Sequence, residues 1–560
     1  MTMPGDDDDA EWMSVGPLER LPKGAGTVVR AGPRRIALFR GDGGNIHAVD
    51  DQCPHEGYPL SKGSLAGHVL TCCYHNFKFD VRTGACTKGD ECVAVHRTRV
   101  RNGQVEILLV EPPRDALLVK HRNSLEEALR EHRLGQAARE TVRLLSFGEK
   151  PANLALLAAR FDAEYAEYGS THTLPVAADV CSMLRLFPGL EAALPLMQAL
   201  ELASETSVRR PKRPVTPAAE PGNDPRRAGA LLREHVEAER CEEAEALLRG
   251  ALDKGWGRPF IEPWLLELST DHFLGFGHAL IFTVKAFDLL ETVGWEHAAE
   301  ILPGLLVAIV SQTREDALPE WLWFRERMAA IEPRLATWWT AKDTARPASQ
   351  AEHKALVEAV LDGSRIEAFD AIHEALERNL AIHEIVDALS VAASERILRF
   401  NVAVDRDSTV QEGWLDVTHL LTFVNATRHA LIRYDSANGL KWLFQAARFI
   451  HGAKPLDEEA ARNRGDSPAA ASLEQLGDAI RNGDTRKALE IARGYLAAAR
   501  DTDEIERLCQ HLTLEDRVVR PIFVAHLIKT CQAAFDEFLR AVEEEGLASL
   551  IDPEGGETLH

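Results

Sequence analysis

Apolar positions along the chain follow two different rhythms. From the N-terminus to about residue 115 they come in short runs rich in β-branched and aromatic residues: Thr27–Val29, Arg35–Arg40, Ile46–Val49, Val69–Thr71, Phe77–Val81 and Val105–Val110. Turn-forming stretches separate them, among them Gly41–Gly44, Thr83–Gly84 and Asn102–Gly103. Short strands punctuated by Gly, Asp and Asn predict a small antiparallel all-β domain over residues 1–115. After Pro112–Pro113 the rhythm changes to helical spacing. Leu125, Ala128, Leu129 and His132 share one face; Leu473, Leu476 and Ile480 share another. The fold class is therefore α+β multidomain, a small β domain followed by a large all-α one. Thr206–Arg227, Lys342–Gln350 and Lys454–Ala469 interrupt the helical rhythm and read as linkers or long surface loops.

The helical part repeats its own texture. Helix–loop–helix patterns start at Leu125, Leu231, Leu356 and Leu476, roughly 105 to 125 residues apart. Further into each comes an apolar helix led by a histidine: His172, His278, His419 and His526. Another apolar helix follows each time, from Leu194, Leu302, Trp442 and Leu539. Four diverged repeats are expected, over 116–205, 226–342, 351–453 and 470–548.

Composition narrows the class. With 45% hydrophobic and 27% charged residues in 560, the chain can bury several cores, which excludes disorder as its main state. A net charge of −23 repels phosphate backbones, so no nucleic-acid partner is expected. The apolar run from Phe273 ends at Lys285, too short for a membrane span, and the acidic N-terminus has no apolar core of a secretory signal; a cytoplasmic location without membrane association is expected. Of nine cysteines, five lie between Cys53 and Cys92. Such clustering, with an odd total, points to metal rather than to a disulfide framework.

The cluster contains the most specific signal in the chain. Cys53-Pro54-His55 is followed, after sixteen residues, by Cys72-Cys73-Tyr74-His75. Two thiolates and two imidazoles on paired loops suit a Rieske [2Fe–2S] centre, with Cys53 and Cys72 on one iron and His55 and His75 on the other; the same donors also suit zinc. Residues 10–110 resemble the Rieske ferredoxin family, and Tyr74–Gly84 is similar to that family's second ligand loop and hairpin. Respiratory Rieske proteins carry an extra disulfide-forming cysteine in each loop. Here Tyr58 stands at the first such position and Cys73 comes one position too early for the second. The resemblance is thus to the ferredoxin and oxygenase type, implying a potential low in the roughly −150 to +300 mV range. The family's proline-bearing third loop is not evident, because Lys88–Glu91 occupies that stretch. Cys86 and Cys92, close by, read as core cysteines or as a redox-active pair.

A Rieske domain passes single electrons and leaves some 450 residues unexplained. The mononuclear iron motif of Rieske oxygenases is incomplete: Asp416 and His419 begin it, but Val424 and Asn425 stand where the second histidine belongs, and His429 comes too late. His272 and His278 have suitable spacing but Ser269 where an acid is needed. The four repeat histidines are the alternative. If equivalent helices face one centre, His172, His278, His419 and His526 converge, with Asp416 one turn before His419 as ligand or support and His272 and His429 as secondary candidates. Imidazoles suit iron, copper, zinc or haem. Gly277–Ile281 and Val417–Leu420 also resemble the histidine-led helices of questin oxidase-like proteins, which implies oxygen insertion. The expected function is an oxidoreductase whose [2Fe–2S] cluster relays electrons to a second iron or haem centre, for oxygen-dependent chemistry on a small organic substrate, with a reductase or ferredoxin as donor. The alternative is a non-enzymatic electron carrier whose repeats dock a redox partner.

Overall fold

The computed structural model describes residues 12–545, apart from 32–33, 90, 110–112, 209, 408, 411–412, 459–471, 499–501 and 516–519. The chain divides into two compact units, Met1–Lys120 and His121–His560.

The first unit is all-β. Its strands are β1 (Met13–Pro17), β2 (Gly26–Ala31), β3 (Arg34–Arg40), β4 (Ile46–Asp50), β5 (Ser64–Ala66), β6 (Val69–Thr71), β7 (Lys78–Asp80), β8 (Cys86–Lys88), β9 (Val95–Arg101) and β10 (Gln104–Leu108). Six form an antiparallel sheet in the order β1-β10-β9-β4-β3-β2, and four form a second in the order β5-β6-β7-β8. The unbroken apolar run of β3 has a physical reason. Ile36 and Leu38 face one core while Ala37 and Phe39 face another, so the strand is buried on both sides. The second core also takes in Leu70 and Phe79 of the small sheet, together with Cys53 and Cys72. β1, β5, β8 and β9 escape the sequence pattern because they are short or, like β9 (VHRTRVR), carry too much charge.

The second unit is all-α among its described residues, and no helix there is long and apolar enough to cross a membrane. Four helices position the site: α1 (Thr173–Met183), α2 (His278–Val293), α3 (Trp414–Arg433) and α4 (Pro521–Glu545). They close a ring in which α1 packs on α2 and α4, and α3 packs on the same two. Their pairings show that they run in the same direction. Asp179 and Lys285, each seven residues past its helix's histidine, meet at 2.7 Å. His429 and Asp536, each ten residues past theirs, also meet at 2.7 Å.

Two expectations are corrected here. Only α1 and α2 are led by their histidine; α3 and α4 begin at Trp414 and Pro521, so His419 and His526 lie a turn and a half inside. Leu539 does not begin a further helix but continues α4. Of the three interruptions, residues 210–224 carry no regular structure yet are tied down, with Arg213 N–H donating to the Glu164 carbonyl (2.7 Å) and Ala219 N–H to that of Ala246 (2.8 Å). Lys342–Thr344 forms a 3₁₀ turn, and most of Lys454–Ala469 lies outside the described residues.

The segment entering α1 is fixed by close backbone packing. Gly169 has φ +79°, and a Cβ there would sit 2.2 Å from the Gly304 carbonyl oxygen, which already accepts from Ser170 N–H at 2.9 Å. Asp162, fully buried, accepts from both the N–H and the hydroxyl of Thr171 at 2.7 Å, one residue before His172. Gly169→Ala is expected to cost about 1–3 kcal/mol through strain and overlap, seen as a lower urea midpoint for the helical signal with the cluster's visible spectrum unchanged.

Candidate metal centres

In the β unit two loops with the same turn carry the sequence-predicted ligands. Cys53 N–H donates to the Tyr58 carbonyl and Cys72 N–H to the Phe77 carbonyl, both at 2.8 Å and both five residues on. Four residues after each cysteine the backbone turns left-handed, at Gly57 (φ 74°) and Asn76 (φ 63°), residue types that tolerate this region. The turns bring the imidazoles together, His55 Nδ1 to His75 Nδ1 being 3.2 Å. The thiols lie inward, each residue 3% exposed, while the His55 and His75 side chains are 24% and 39% exposed. Burial pushes the Cys53 thiol up to about 11, and neighbouring Cys72 adds to the rise; such a pair favours cationic iron over bare thiolates. Two sulfurs within and two Nδ1 atoms outward fit a [2Fe–2S] cluster with its imidazole edge toward solvent.

The tyrosines explain how these loops do without a disulfide. Tyr58 and Tyr74 stand at the two positions where respiratory Rieske proteins carry the bridging cysteines, and their rings stack at 3.5 Å. His55 also lies flat on Phe77, with ring centroids 4.4 Å apart. Glu56, unremarked in the sequence, comes within 3.7 Å of His75 Nδ1. No disulfide joins Cys86 and Cys92 among the described residues.

In the helical unit His172, His278, His419 and His526 come together, one nitrogen of each within 4.8 Å of the others. His278 Nε2 lies 2.8 Å from His419 Nε2, which lies 3.1 Å from His526 Nε2. Being inside their helices, His419 and His526 donate from Nδ1 to the carbonyls of Leu415 and Ile522 one turn back, both at 2.7 Å. That fixes the tautomer, so two Nε2 lone pairs face each other at 3.1 Å. Their repulsion calls for a proton or a cation. Burial argues against the proton: it holds all four imidazoles below their usual pKa, with Lys529 adding to the effect at each and neighbouring histidines at His172, His278 and His419, and brings His526 down to about 3. The buried Nε2 of His172 has no hydrogen-bond partner among the described residues.

The other candidates lie elsewhere. Asp416 is turned away from the imidazoles, its carboxylate accepting from Gly413 N–H at 2.7 Å as the cap of α3, so the support of His419 is the Leu415 carbonyl instead. His272 sits between Asp316 (2.9 Å) and Glu237 (3.1 Å), and His429 on Asp536. The left-handed run Gly275-Phe276-Gly277 (φ 52°, 57°, 81°) sets His278 at the start of α2 and leaves Phe276 stacked over His419, with ring centroids 6.3 Å apart. Lys529, one turn past His526, is buried, and its Nζ has no hydrogen-bond partner among the described residues. In sequence it is one lysine in an amphipathic helix, and only its place one turn past His526 could have singled it out.

A two-sheet β unit whose paired loops present two buried thiols and two partly exposed imidazoles defines an iron–sulfur electron-transfer module. The Rieske [2Fe-2S] domain family matches residues 11–99, and the chain belongs to it. The anthranilate 1,2-dioxygenase ferredoxin subunit of Burkholderia cepacia is 34% identical over 100 residues, 18% of this chain and 92% of that one. The 4beta-methylsterol monooxygenase of Methylococcus capsulatus (strain ATCC 33009 / NCIMB 11132 / Bath) is 46% identical over 72 residues, 13% of this chain and 19% of that one. The match thus spans about a fifth of that monooxygenase. Among solved structures, the complex of reduced oxygenase and oxidized ferredoxin in carbazole 1,9a-dioxygenase matches at 29% identity and a TM-score of 0.16, covering 17% of this chain and 99% of that one.

Two outcomes follow from these geometries. Tyr74→Ala removes a stack of about 0.5–1.5 kcal/mol and is expected to speed loss of the cluster's visible absorbance in mild urea, with the Rieske EPR signal of the remaining protein unchanged. In protein stripped of metal by a chelator, the folded chain binds fewer protons than the unfolded one at pH values below about 6.5. Stability is therefore full above that pH and falls as acid is added, down to about pH 3 for His526. The expected slope is about 1.4 kcal/mol per pH unit for that imidazole, and the acid dependence of stability is expected to become shallower by that share in His526→Gln, with the remaining imidazoles supplying the rest.

Proposed function

We propose that the chain is an oxidoreductase with two redox centres: the [2Fe–2S] cluster on Cys53, His55, Cys72 and His75, and a metal ion, best read as iron, on His172, His278, His419 and His526. A bound cluster supplies single electrons, and the second centre is where oxygen and a small organic substrate react. The convergence of four neutral imidazoles in one buried place carries this reading. Nε2 separations of 2.8 and 3.1 Å suit adjacent ligands of one ion held at about 2.0–2.1 Å. They leave no room for a porphyrin between the rings, which favours a bare ion over haem. An all-imidazole set suits iron, copper or zinc, and the fused electron module favours a metal that changes oxidation state.

The chain's own residues supply orientation and dryness. The Leu415 and Ile522 carbonyls aim two of the ligands, and burial with Lys529 keeps the imidazoles unprotonated and ready for metal. The oxygenase reading is also supported by relatives named a monooxygenase and a dioxygenase ferredoxin. The helical unit is then read as four repeats, each contributing one histidine-bearing helix, and a reductase or ferredoxin as the electron donor.

Metal analysis of the full chain tests this. More than two metal ions per chain are expected, and His278→Ala with His419→Ala should lose the excess while keeping two irons, acid-labile sulfide and the Rieske EPR signal. A full chain holding two irons alone would favour the non-enzymatic carrier.

A further inference from the structure

The ring of four helices has a second polar region, at the end opposite the histidines. A cavity of about 420 Å³ opens there, and every helix of the ring lines it: Ser182 of α1, Lys285 and Asp288 of α2, His429 of α3, Gln532 and Asp536 of α4. Between this cavity and the imidazoles an apolar core would be the ordinary filling. Instead the interior carries charge. Side-chain exposure falls step by step, from Asp536 (43%) and His429 (30%) through Asp288 (25%) and Lys285 (15%) to Asp179 (0%).

Contacts join these groups in two sets, and both sets line the same cavity, whose space lies open to water between them. His429 Nε2 lies 2.7 Å from Asp536, Lys285 Nζ 3.8 Å from Asp288 and 2.7 Å from Asp179. Arg433 holds Asp288 at 2.6 Å. Lys529, buried one turn past His526, is near enough for its charge to bear on Asp179 and on all four histidines. Buried charge of this kind destabilises a bundle relative to apolar packing, so a role other than stability is called for.

Resting on the second metal centre of the preceding reading, we propose that this column is the proton path to that centre, entered from water at Asp536 and His429 and ending at Asp179. An electron arriving at a buried centre adds uncompensated negative charge in a dry interior. One proton taken from water offsets it. Lys285 passes a proton to the Asp179 carboxylate and takes one from the cavity side in the same movement, so Asp179 ends as the carboxylic acid and no charge is left on Lys285 beyond its own. Burial already pushes Asp179 up to about 6 against the opposing pull of Lys285 and Lys529, with Asp288 adding to the rise. The carboxylate is therefore poised to accept at neutral pH. The charged groups facing it are Lys285 and Asp288 from α2 and Lys529 from α4.

The test uses the full chain with its metals and a one-electron donor that carries no proton, the methyl viologen radical cation. Stopped-flow reduction with a pH-indicator dye reads proton uptake, and absorbance reads the electron. Asp179→Asn should slow proton uptake about a hundredfold, within the usual contribution of a positioned proton-transfer group, with metal content and the Rieske EPR signal unchanged. Should that variant fail to fold, His429→Gln with Asp536→Asn at the exposed end is expected to slow uptake as well, and added imidazole, a diffusible proton carrier, to restore it. A merely structural role for these side chains would not respond to imidazole. Unchanged uptake in variants that keep the second metal overturns the path alone. A full chain without metal beyond the two cluster irons overturns the centre and the path together.

Discussion

Two backbone carbonyls determine most of what the helical unit presents. Leu415 and Ile522 each take the Nδ1 proton of the histidine one turn ahead, and so turn the Nε2 lone pairs of His419 and His526 toward each other. Neither lone pair can be quieted by a proton without charging a buried ring. The remaining geometry follows from that constraint: His278 is brought to the same point by three successive left-handed residues, and His172 by a loop locked through Gly169 and Asp162. Both devices spend backbone freedom on the placement of a single side chain, as expected where a site outweighs local propensity.

Parallel packing of four helices aims their positive N-terminal ends at one region. This field, like Lys529, opposes protonation of the imidazoles. The same field is unfavourable to a bare cation, so metal–nitrogen bonding must outweigh it. His419 and His526 soften the conflict by lying a turn and a half inside their helices, beyond the first turn where the dipole is strongest. The arrangement favours a site that is neutral and dry until metal is bound.

The readable parts of the sequence were those in which chemistry is local. Cys53-Pro-His55 and Cys72-x-x-His75 state their ligand set within a few residues, and β3 declares its two-sided burial by an unbroken apolar run. The recurrence of a histidine before each apolar helix was legible as a pattern, but where α3 and α4 begin was not. Asp416 follows Gly413 by three residues, a capping position, yet its nearness to His419 drew attention to metal chemistry. Asp179, Lys285 and Lys529 stayed hidden for another reason. Asp179 and Lys285 are charges on helices buried almost all round, Lys529 is one lysine of α4, and only the parallel register, seven residues on from His172 and His278, makes partners of the first two. Periodicity describes one helix at a time and is silent about which positions of separate helices share a level.

The two proposed centres differ in what they show to solvent, and the difference bears on how each would be served. At the cluster the thiols are inside and the imidazole edge is outside, so a protein donor can approach the ligands themselves. At the four-histidine centre His419 and His526 are buried, His172 and His278 are half-buried, and the Nε2 of His172 is withdrawn from solvent, so the ligand nitrogens are less open to a protein donor than those of the cluster. Electrons tolerate such burial because they cross several ångströms of protein, whereas protons move only between groups in hydrogen-bond reach. A buried redox centre fed by single electrons therefore needs a separate route for charge compensation. The declining exposure from Asp536 to Asp179 is the structural form such a route takes in this bundle.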